Sequence, residues 1–136
     1  MTKERERICV GIENDTDIIR ARQKGRELAI SLGFSSSDST LIATAISEVT
    51  RNIILYAVRG EITLTSIEEG KRLGLAIVVH DDGPGIPNIE LAMQDGFSTG
   101  NSLGLGLPGA RRLVDDFSIT SELGIGTTIT MTKWIR

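Results

Sequence analysis

The sequence has little cysteine, few aromatic residues and no long apolar run. Cys9 is the only cysteine, which excludes an internal disulfide, and its neighbours Ile8 and Val10 predict a buried, inert thiol. Aromatic residues make up 4% of the chain and no basic block interleaves with them, so nucleic acid is not expected as the main partner. No apolar run reaches membrane-spanning length and none follows the N-terminal charges, so we expect a cytoplasmic protein with no membrane attachment.

Several nucleotide-binding and kinase motifs are also absent. There is no G-x-x-x-x-G-K-[ST] phosphate loop and no V-A-I-K, H-R-D or D-F-G, which excludes P-loop enzymes and eukaryotic-type kinases. Residues Gly104 to Gly109 satisfy G-x-G-x-x-G, but F-S-T-G-N-S precedes them instead of a strand, which excludes a dinucleotide-binding fold. His80 is the only histidine, so a phospho-accepting histidine module is absent, and beside Asp81 a structural or tuning role is expected for it.

The length of 136 residues predicts one domain, residues 1–136. Apolar periodicity and turn residues predict a strand, two long helices, a strand hairpin, a mobile lid at 88–103, a third helix and a final hairpin. Because hairpins dominate, we predict an α/β (α+β) two-layer sandwich, with a mixed, mostly antiparallel sheet and helices packed on one face. The predicted strands are residues 7–12, 61–67, 73–80, 117–122 and 127–134, and the predicted helices are 17–32, 39–56 and 105–115.

The first predicted helix carries a run of basic residues, namely Arg20, Arg22, Lys24 and Arg26. The favoured interpretation is a solvated basic face. The alternative is a docking surface for an acidic partner.

An acid followed by two glycines lies where the strand of residues 73–80 ends. Asp81, Gly83 and Gly85 form D-x-G-x-G, in which the carboxylate can accept a hydrogen bond from an exocyclic amine and the glycines let a flat ring approach the backbone. Further on, Gly104 to Leu107 open a helix whose free N–H groups and dipole suit phosphate. The two segments together predict an ATP site. By itself, D-x-G-x-G is also compatible with a tight turn or an oxygen-rich cation site.

A second polar pair lies on the long second helix. Glu48 and Asn52 are four residues apart, share a stripe with Ala45, and therefore project from one half-buried side. Asn52 can give a carbonyl oxygen to Mg²⁺, and Glu48 can take a proton from an attacking hydroxyl. The alternative is an ordinary surface pair on an amphipathic helix, because E-x-x-x-N is common.

A last glycine motif, Gly124-x-Gly126-Thr127, reads as a turn between the final two strands. In a functional interpretation the Thr127 hydroxyl reaches a ligand base, directly or through water.

The order of these motifs resembles the GHKL superfamily: E-x-x-x-N, then D-x-G-x-G, then G-L-G-L, then G-x-G-T, across residues 40 to 130. Within it, the short lid and the stretches I-S-E-V-T-R-N, D-D-G-P-G-I and G-L-G-L-P-G-A-R-R-L resemble the bacterial anti-sigma-factor serine kinases, in particular the stressosome switch kinases. The resemblance implies a Bergerat-type fold, Asn52 on Mg²⁺, Asp81 on the adenine amine and Glu48 as general base. It also implies a base pocket shaped by Gly83, Gly85 and Ile86 and supported by Thr127, and a phosphate cradle made by Gly104, Leu105, Gly106 and Leu107.

The same resemblance implies serine or threonine hydroxyls on small STAS-domain antagonist proteins as substrates, and activation of a downstream PP2C-type phosphatase by the released kinase. Three alternatives stay open: an anti-sigma factor that binds a sigma subunit under nucleotide control, a stand-alone ATPase, and a nucleotide-free scaffold. One departure from the family is that Asn88 to Leu103 hold no lysine or arginine, whereas lids in several relatives supply a cation to the γ-phosphate. Mg²⁺, backbone amides or an arginine such as Arg51 must then supply that charge, which predicts a weak kinase.

Overall fold

The computed structural model describes residues 2–57, 59–83, 93 and 106–136. Its elements follow the order that the sequence predicts: β1 (Thr2–Ile12), α1 (Asp15–Leu32), α2 (Ser36–Tyr56), β2 (Gly60–Glu69), β3 (Arg72–Asp81), α3 (Gly106–Leu113), β4 (Asp116–Glu122) and β5 (Gly126–Trp134). Apart from Met93, the predicted lid at 88–103 lies outside the described residues.

The five strands form one sheet in the order β1-β2-β3-β5-β4, and all four pairings are antiparallel. Cross-strand rows such as Ile62, Val79 and Ile129 lie on one face and are almost fully buried. Residues one position along, such as Glu61 and His80, lie on the other face, because successive side chains alternate along a strand. The helices pack on the buried face, so the predicted two-layer sandwich is confirmed.

The long helices begin and end at residues whose side chains or conformations satisfy the terminal backbone groups. At α1, Asn14 and Asp17 form a reciprocal capping box, and Gly33 ends the helix in the left-handed conformation with φ 104°. At α2, the Ser35 side chain accepts from the Asp38 backbone N–H, so this helix begins three residues before the prediction.

One continuous apolar core joins the two layers. Its largest fully buried side chains come from α2 and from four of the five strands: Ile12, Ile42, Ile46, Val49, Ile53, Ile62, Leu64, Leu75, Ile77, Val79, Ile129 and Met131. Burying side chains of this size contributes about 1.5–3 kcal/mol each relative to leaving them exposed. The core therefore fixes α2 against the centre of the sheet, and α1 and α3 pack against α2.

The prediction that Cys9 is buried is wrong, because its thiol is exposed. On β1, Val10 and Ile12 face the core, so the residue between Ile8 and Val10 faces solvent. There the Cys9 sulfur lies 3.7 Å from a carboxylate oxygen of Glu61 and 3.8 Å from the hydroxyl of Thr63.

Strand β1 also begins earlier than predicted. Thr2 to Glu4 pair with the end of β2, and a register shift lies between Glu4 and Glu6. This segment is charged on both faces, so it has no apolar alternation by which a strand could be predicted.

The only tryptophan of the chain stands on the outer face, at the end of the sheet away from Asp81. A Cβ added at Gly74 would lie 2.6 Å from the Trp134 ring, and the Arg72 guanidinium lies 3.9 Å from the ring centroid. Gly74 thus leaves room for the indole against β3, and the Arg72 guanidinium packs over its ring.

The basic side chains of α1 are exposed, which agrees with the solvated interpretation, and Arg20 pairs with Asp17 at 3.2 Å. No helix among the described residues is long and apolar enough to cross a membrane.

Candidate functional site

Asp81 and Thr127 are directly opposite each other at the ends of β3 and β5, on the face that carries the helices. Both are buried, with exposures of 7% and 4%. The Thr127 hydroxyl lies 3.0 Å from the hydroxyl of Ser121, its cross-strand neighbour on β4. The structure therefore brings the predicted carboxylate and hydroxyl of the base pocket side by side, although they are 46 positions apart in the sequence.

Two glycines hold the backbone close around Asp81. The Gly83 N–H donates to Asp81 Oδ1 at 2.9 Å, and a Cβ at Gly83 would lie 2.7 Å from Cβ of Ala57. At Gly126, φ is 151° and a Cβ would overlap the carbonyl oxygen of Asp81. Larger residues do not fit at either position without a shift of neighbouring atoms, and one carboxylate oxygen is fixed by a backbone donor.

The last turns of α2 pack against the same strand end. A Cβ at Gly60 would lie 3.1 Å from Cβ of Asp81 and also 3.1 Å from Cδ1 of Ile53, so these three residues meet at one point. Asn52, which immediately precedes Ile53, is half-buried. The helix that carries Glu48 and Asn52 is therefore anchored directly to the strand that carries Asp81.

Glu48 is buried in an unusual way. It lies about 200° around the helix from Ile46, away from the core-facing side, because each residue turns the helix by about 100°. Its exposure is nevertheless 6%, whereas Leu41 and Leu55, on the same side, are 36% and 46% exposed. Glu48 is therefore more buried than a residue of an ordinary surface pair on an amphipathic helix would be.

The carboxylate of Glu48 is only half satisfied. Its Oε1 lies 3.5 Å from Arg51 Nη1, and its Oε2 is buried without a hydrogen-bond partner among the described residues. Leaving a buried polar group unpaired costs about 1–3 kcal/mol, and more for a charged group. The free oxygen can accept a proton or bind water, and the Asn52 amide one turn later can give an oxygen to a divalent cation, so this part of α2 fits a metal-assisted site.

The predicted phosphate end is described only from Gly106 onward. Gly106 begins α3 with φ 50°, and Leu107 is 5% exposed with its side chain in the core. Leu107 can therefore meet a ligand only through its backbone. The other predicted site residues, Gly85, Ile86, Gly104 and Leu105, lie outside the described residues.

Sequence reasoning missed two contributors to this region, Ser121 and Gly60. Ser121 lies opposite Thr127 across the final hairpin, so the strand register of that hairpin could have identified it. The close approach of Gly60 to Ile53 and Asp81 has no signal in the sequence.

Comparison with known proteins places these features in context. Residues 37–135 match the family model described as Histidine kinase-, DNA gyrase B-, and HSP90-like ATPase. The chain is 50% identical over 128 residues to the serine/threonine-protein kinase RsbT of Bacillus subtilis (strain 168), which covers 94% of this chain and 96% of the relative. It is 33% identical over 100 residues to the anti-sigma F factor of Thermoanaerobacter sp. (strain X514), covering 69% and 68% of the two chains.

Among solved structures, the mycobacterial sensor histidine kinase MprB aligns with a TM-score of 0.57. The alignment covers 96% of this chain and 97% of that chain at 18% sequence identity, so the likeness concerns the fold.

Proposed function

Because the chain belongs to the family of histidine kinase-, DNA gyrase B- and HSP90-like ATPases, as its motifs indicated, we propose that it is an ATP-dependent protein serine/threonine kinase of a bacterial partner-switching stress response. The observation that carries this proposal is the 50% identity, over nearly the whole of both chains, with a relative named as a serine/threonine-protein kinase.

The geometry around Asp81 supports a nucleotide base at the end of the sheet. One oxygen of this carboxylate accepts from Gly83, and the other can accept from the adenine amine. Thr127 is the second polar group at the base, and Ser121 orients its hydroxyl. In this proposal Gly83, Gly85 and Ile86 shape the pocket, and the backbone of Gly104, Leu105, Gly106 and Leu107 binds the phosphates at the start of α3.

The transfer step needs a base and positive charge near the γ-phosphate. Asn52 would hold Mg²⁺ through its amide oxygen, and when bound the ion supplies charge that neutralises the triphosphate. The substrate hydroxyl oxygen forms a bond to the γ-phosphorus while the bond from that phosphorus to the bridging oxygen of ADP breaks. Glu48 accepts the hydroxyl proton on its free Oε2, which is the acceptor that has no other partner among the described residues.

The proposed substrates are hydroxyls on STAS-domain antagonist proteins, and the proposed downstream partner is a PP2C-type phosphatase. A second candidate function is an anti-sigma factor that binds a sigma subunit under nucleotide control. The 33% identity with a relative named as an anti-sigma F factor favours this candidate, and both functions would use the same nucleotide site.

The direct test is transfer of γ-labelled phosphate from ATP to a STAS-domain protein in the presence of Mg²⁺. We expect transfer with the unmodified chain and its loss in Asn52→Ala and Glu48→Gln. Glu27→Gln, which changes an exposed glutamate of α1, is the matched control and should transfer normally. Undiminished transfer by Asn52→Ala would contradict the assignment. Phosphate release without an acceptor indicates a stand-alone ATPase, and nucleotide-dependent binding of a sigma subunit without transfer indicates an anti-sigma factor.

A further inference from the structure

A hydrogen-bonded chain of three side chains lies on the outer face of the sheet. His80 of β3 and Thr128 of β5 are directly opposite each other, and His80 Nδ1 lies 2.9 Å from the Thr128 hydroxyl oxygen. The other ring nitrogen, Nε2, lies 3.2 Å from Oδ1 of Asp82. Histidine therefore joins two strands and also the first residue beyond β3.

The three side chains lie directly behind the proposed base pocket, on the opposite face of the sheet. Asp81 and Thr127 are the adjoining cross-strand pair, one residue away along each strand, and they face the helices. A displacement of either strand end on the outer face is therefore transmitted through the backbone to the Asp81 carboxylate or to the Thr127 hydroxyl. The two pairs occupy the same end of β3 and β5, on opposite faces.

The backbone ladder pairs the ends of β3 and β5, and His80 adds a side-chain link to it. Within the described part of the chain, the bond from His80 to Thr128 is the only side-chain hydrogen bond between β3 and β5. Gly126 approaches the Asp81 backbone too closely for a side chain of its own, so it cannot make such a bond. Asp82 is largely exposed, and its side chain contacts His80 before the chain turns at Gly83.

We propose that His80 is a positioning residue for nucleotide binding: together with Thr128 and Asp82, it holds the ends of β3 and β5 so that Asp81 and Thr127 meet the same purine. This inference rests on the proposed ATP site. It assigns no chemical step to His80, whose ring is on the face of the sheet opposite the pocket.

The test compares two threonines on the outer face of β5. Thr128→Val removes the hydroxyl that contacts His80, whereas Thr130→Val makes the same change two residues along, opposite Val78. ATP affinity is measured by titration calorimetry and unfolding temperature by thermal scanning. We expect Thr128→Val and His80→Val to weaken ATP binding about threefold to tenfold, in the range typical of coupled neighbouring residues, and Thr130→Val to leave it unchanged.

Two further measurements separate positioning from general destabilisation. Thr128→Val and Thr130→Val should lower the unfolding temperature equally, and the KM for ATP should rise in Thr128→Val while kcat at saturating ATP stays constant. In an Asp81→Asn background, His80→Val should have a smaller additional effect on ATP affinity, because part of its action passes through Asp81.

Equal ATP affinity in Thr128→Val and the unmodified chain would overturn the inference, as would an equal loss in Thr130→Val. A failure of the proposed function has a different signature, because the unmodified chain would then bind no ATP.

Discussion

The two ends of the proposed site differ in how completely their polar groups are hydrogen-bonded. At the base end, polar groups already have partners: Asp81 accepts from the Gly83 backbone, and Thr127 contacts Ser121. On α2, the buried Glu48 carboxylate has one oxygen without a partner in the described part of the chain, and its other oxygen makes a long contact to Arg51.

The difference agrees with the roles proposed for the two ends. A group that recognises a rigid base gains from being fixed beforehand, because less freedom is lost on binding. A group that takes a proton must keep an acceptor available, and the folded protein then bears the cost of a buried oxygen without a hydrogen bond. Substitutions around Asp81 and Thr127 (the base end) should therefore be poorly tolerated. Substitutions of Glu48 or Asn52 (the α2 end) should give low activity with normal folding.

The largest effect is expected from Glu48→Gln. Loss of a general base should lower phosphate transfer about a hundredfold to ten-thousandfold, while ATP affinity stays near normal. The variant should unfold at the same or a higher temperature, because a buried carboxylate with one unpartnered oxygen among the described residues becomes a neutral amide. Transfer assays and thermal scanning check both statements, and a clear loss of stability would show that Glu48 is a structural residue.

The next largest effect is expected at Gly126. In Gly126→Ala the added Cβ would overlap the Asp81 carbonyl oxygen, so the strand end must move. A displacement of about 1 Å in an active site can lower the reaction rate about a hundredfold, and we expect a loss of similar order in ATP affinity. Gly11→Ala, where a Cβ meets nothing within 4 Å, is the control. If both variants bind ATP equally well by calorimetry, the base end is less rigid than we infer.

Asp81→Asn tests recognition itself. Asparagine keeps an oxygen for the Gly83 N–H but presents an amide NH₂ where the adenine amine would donate. Hydrogen bonds to charged groups contribute about 1.5–3 kcal/mol, which corresponds to a loss of about tenfold to a hundredfold in ATP affinity. Inosine triphosphate, which lacks the amine, should bind both forms alike, and a parallel loss of both nucleotides would argue against the contact.

A smaller effect is expected from Arg51→Met, and it separates two roles for this arginine. As a partly exposed ion-pair partner of Glu48, Arg51 contributes about 0.2–1 kcal/mol, which corresponds to about a 1.4-fold to fivefold change in kcat. If it instead supplied the charge that the lysine-free and arginine-free lid lacks, the loss would be about a thousandfold or more. Arg51→Lys should restore most of the activity in the first case.

The smallest effect on ligand binding is expected at Asp115, outside both ends. Desolvation raises the pKa of this carboxyl, but the Trp134 backbone N–H and the Arg136 guanidinium outweigh it, so the pKa is lowered on folding. Its stabilising contribution is then complete above the usual value and is lost as the pH falls below about 4. Asp115→Asn should unfold at a lower temperature than the unmodified chain at pH 7, with a smaller difference at low pH, and bind ATP normally.

The base end of the proposed site could be predicted from the sequence more completely than the α2 end. Asp81, Gly83 and Thr127 could be placed at strand ends because acid and glycine bound the apolar runs there, and the structure brings them together. The pair Glu48 and Asn52 was placed on one stripe of a helix, but the burial of Glu48 depends on tertiary packing that helical periodicity does not contain.

The remaining errors have similar causes. Apolar neighbours indicated a buried Cys9, but strand alternation turns its side chain to the outer face. The first residues of β1 form a strand because they pair with the end of β2. Their charged sequence does not reveal this pairing. The link between His80 and Thr128 depends on strand register between segments 48 positions apart, so the solitary histidine could be recognised only as a structural or tuning residue.

The indole of Trp134 provides a built-in optical probe. Since it is the only tryptophan, intrinsic fluorescence excited at its absorption edge reports one location, the junction of β3 and β5 over Gly74. The Arg72 cation against the ring should quench or shift this emission in the native state and release it on denaturation. Emission during chemical denaturation would thus follow separation of the two central strands without any label. A change in emission on adding nucleotide would show that binding near Asp81 affects the opposite end of the same strands.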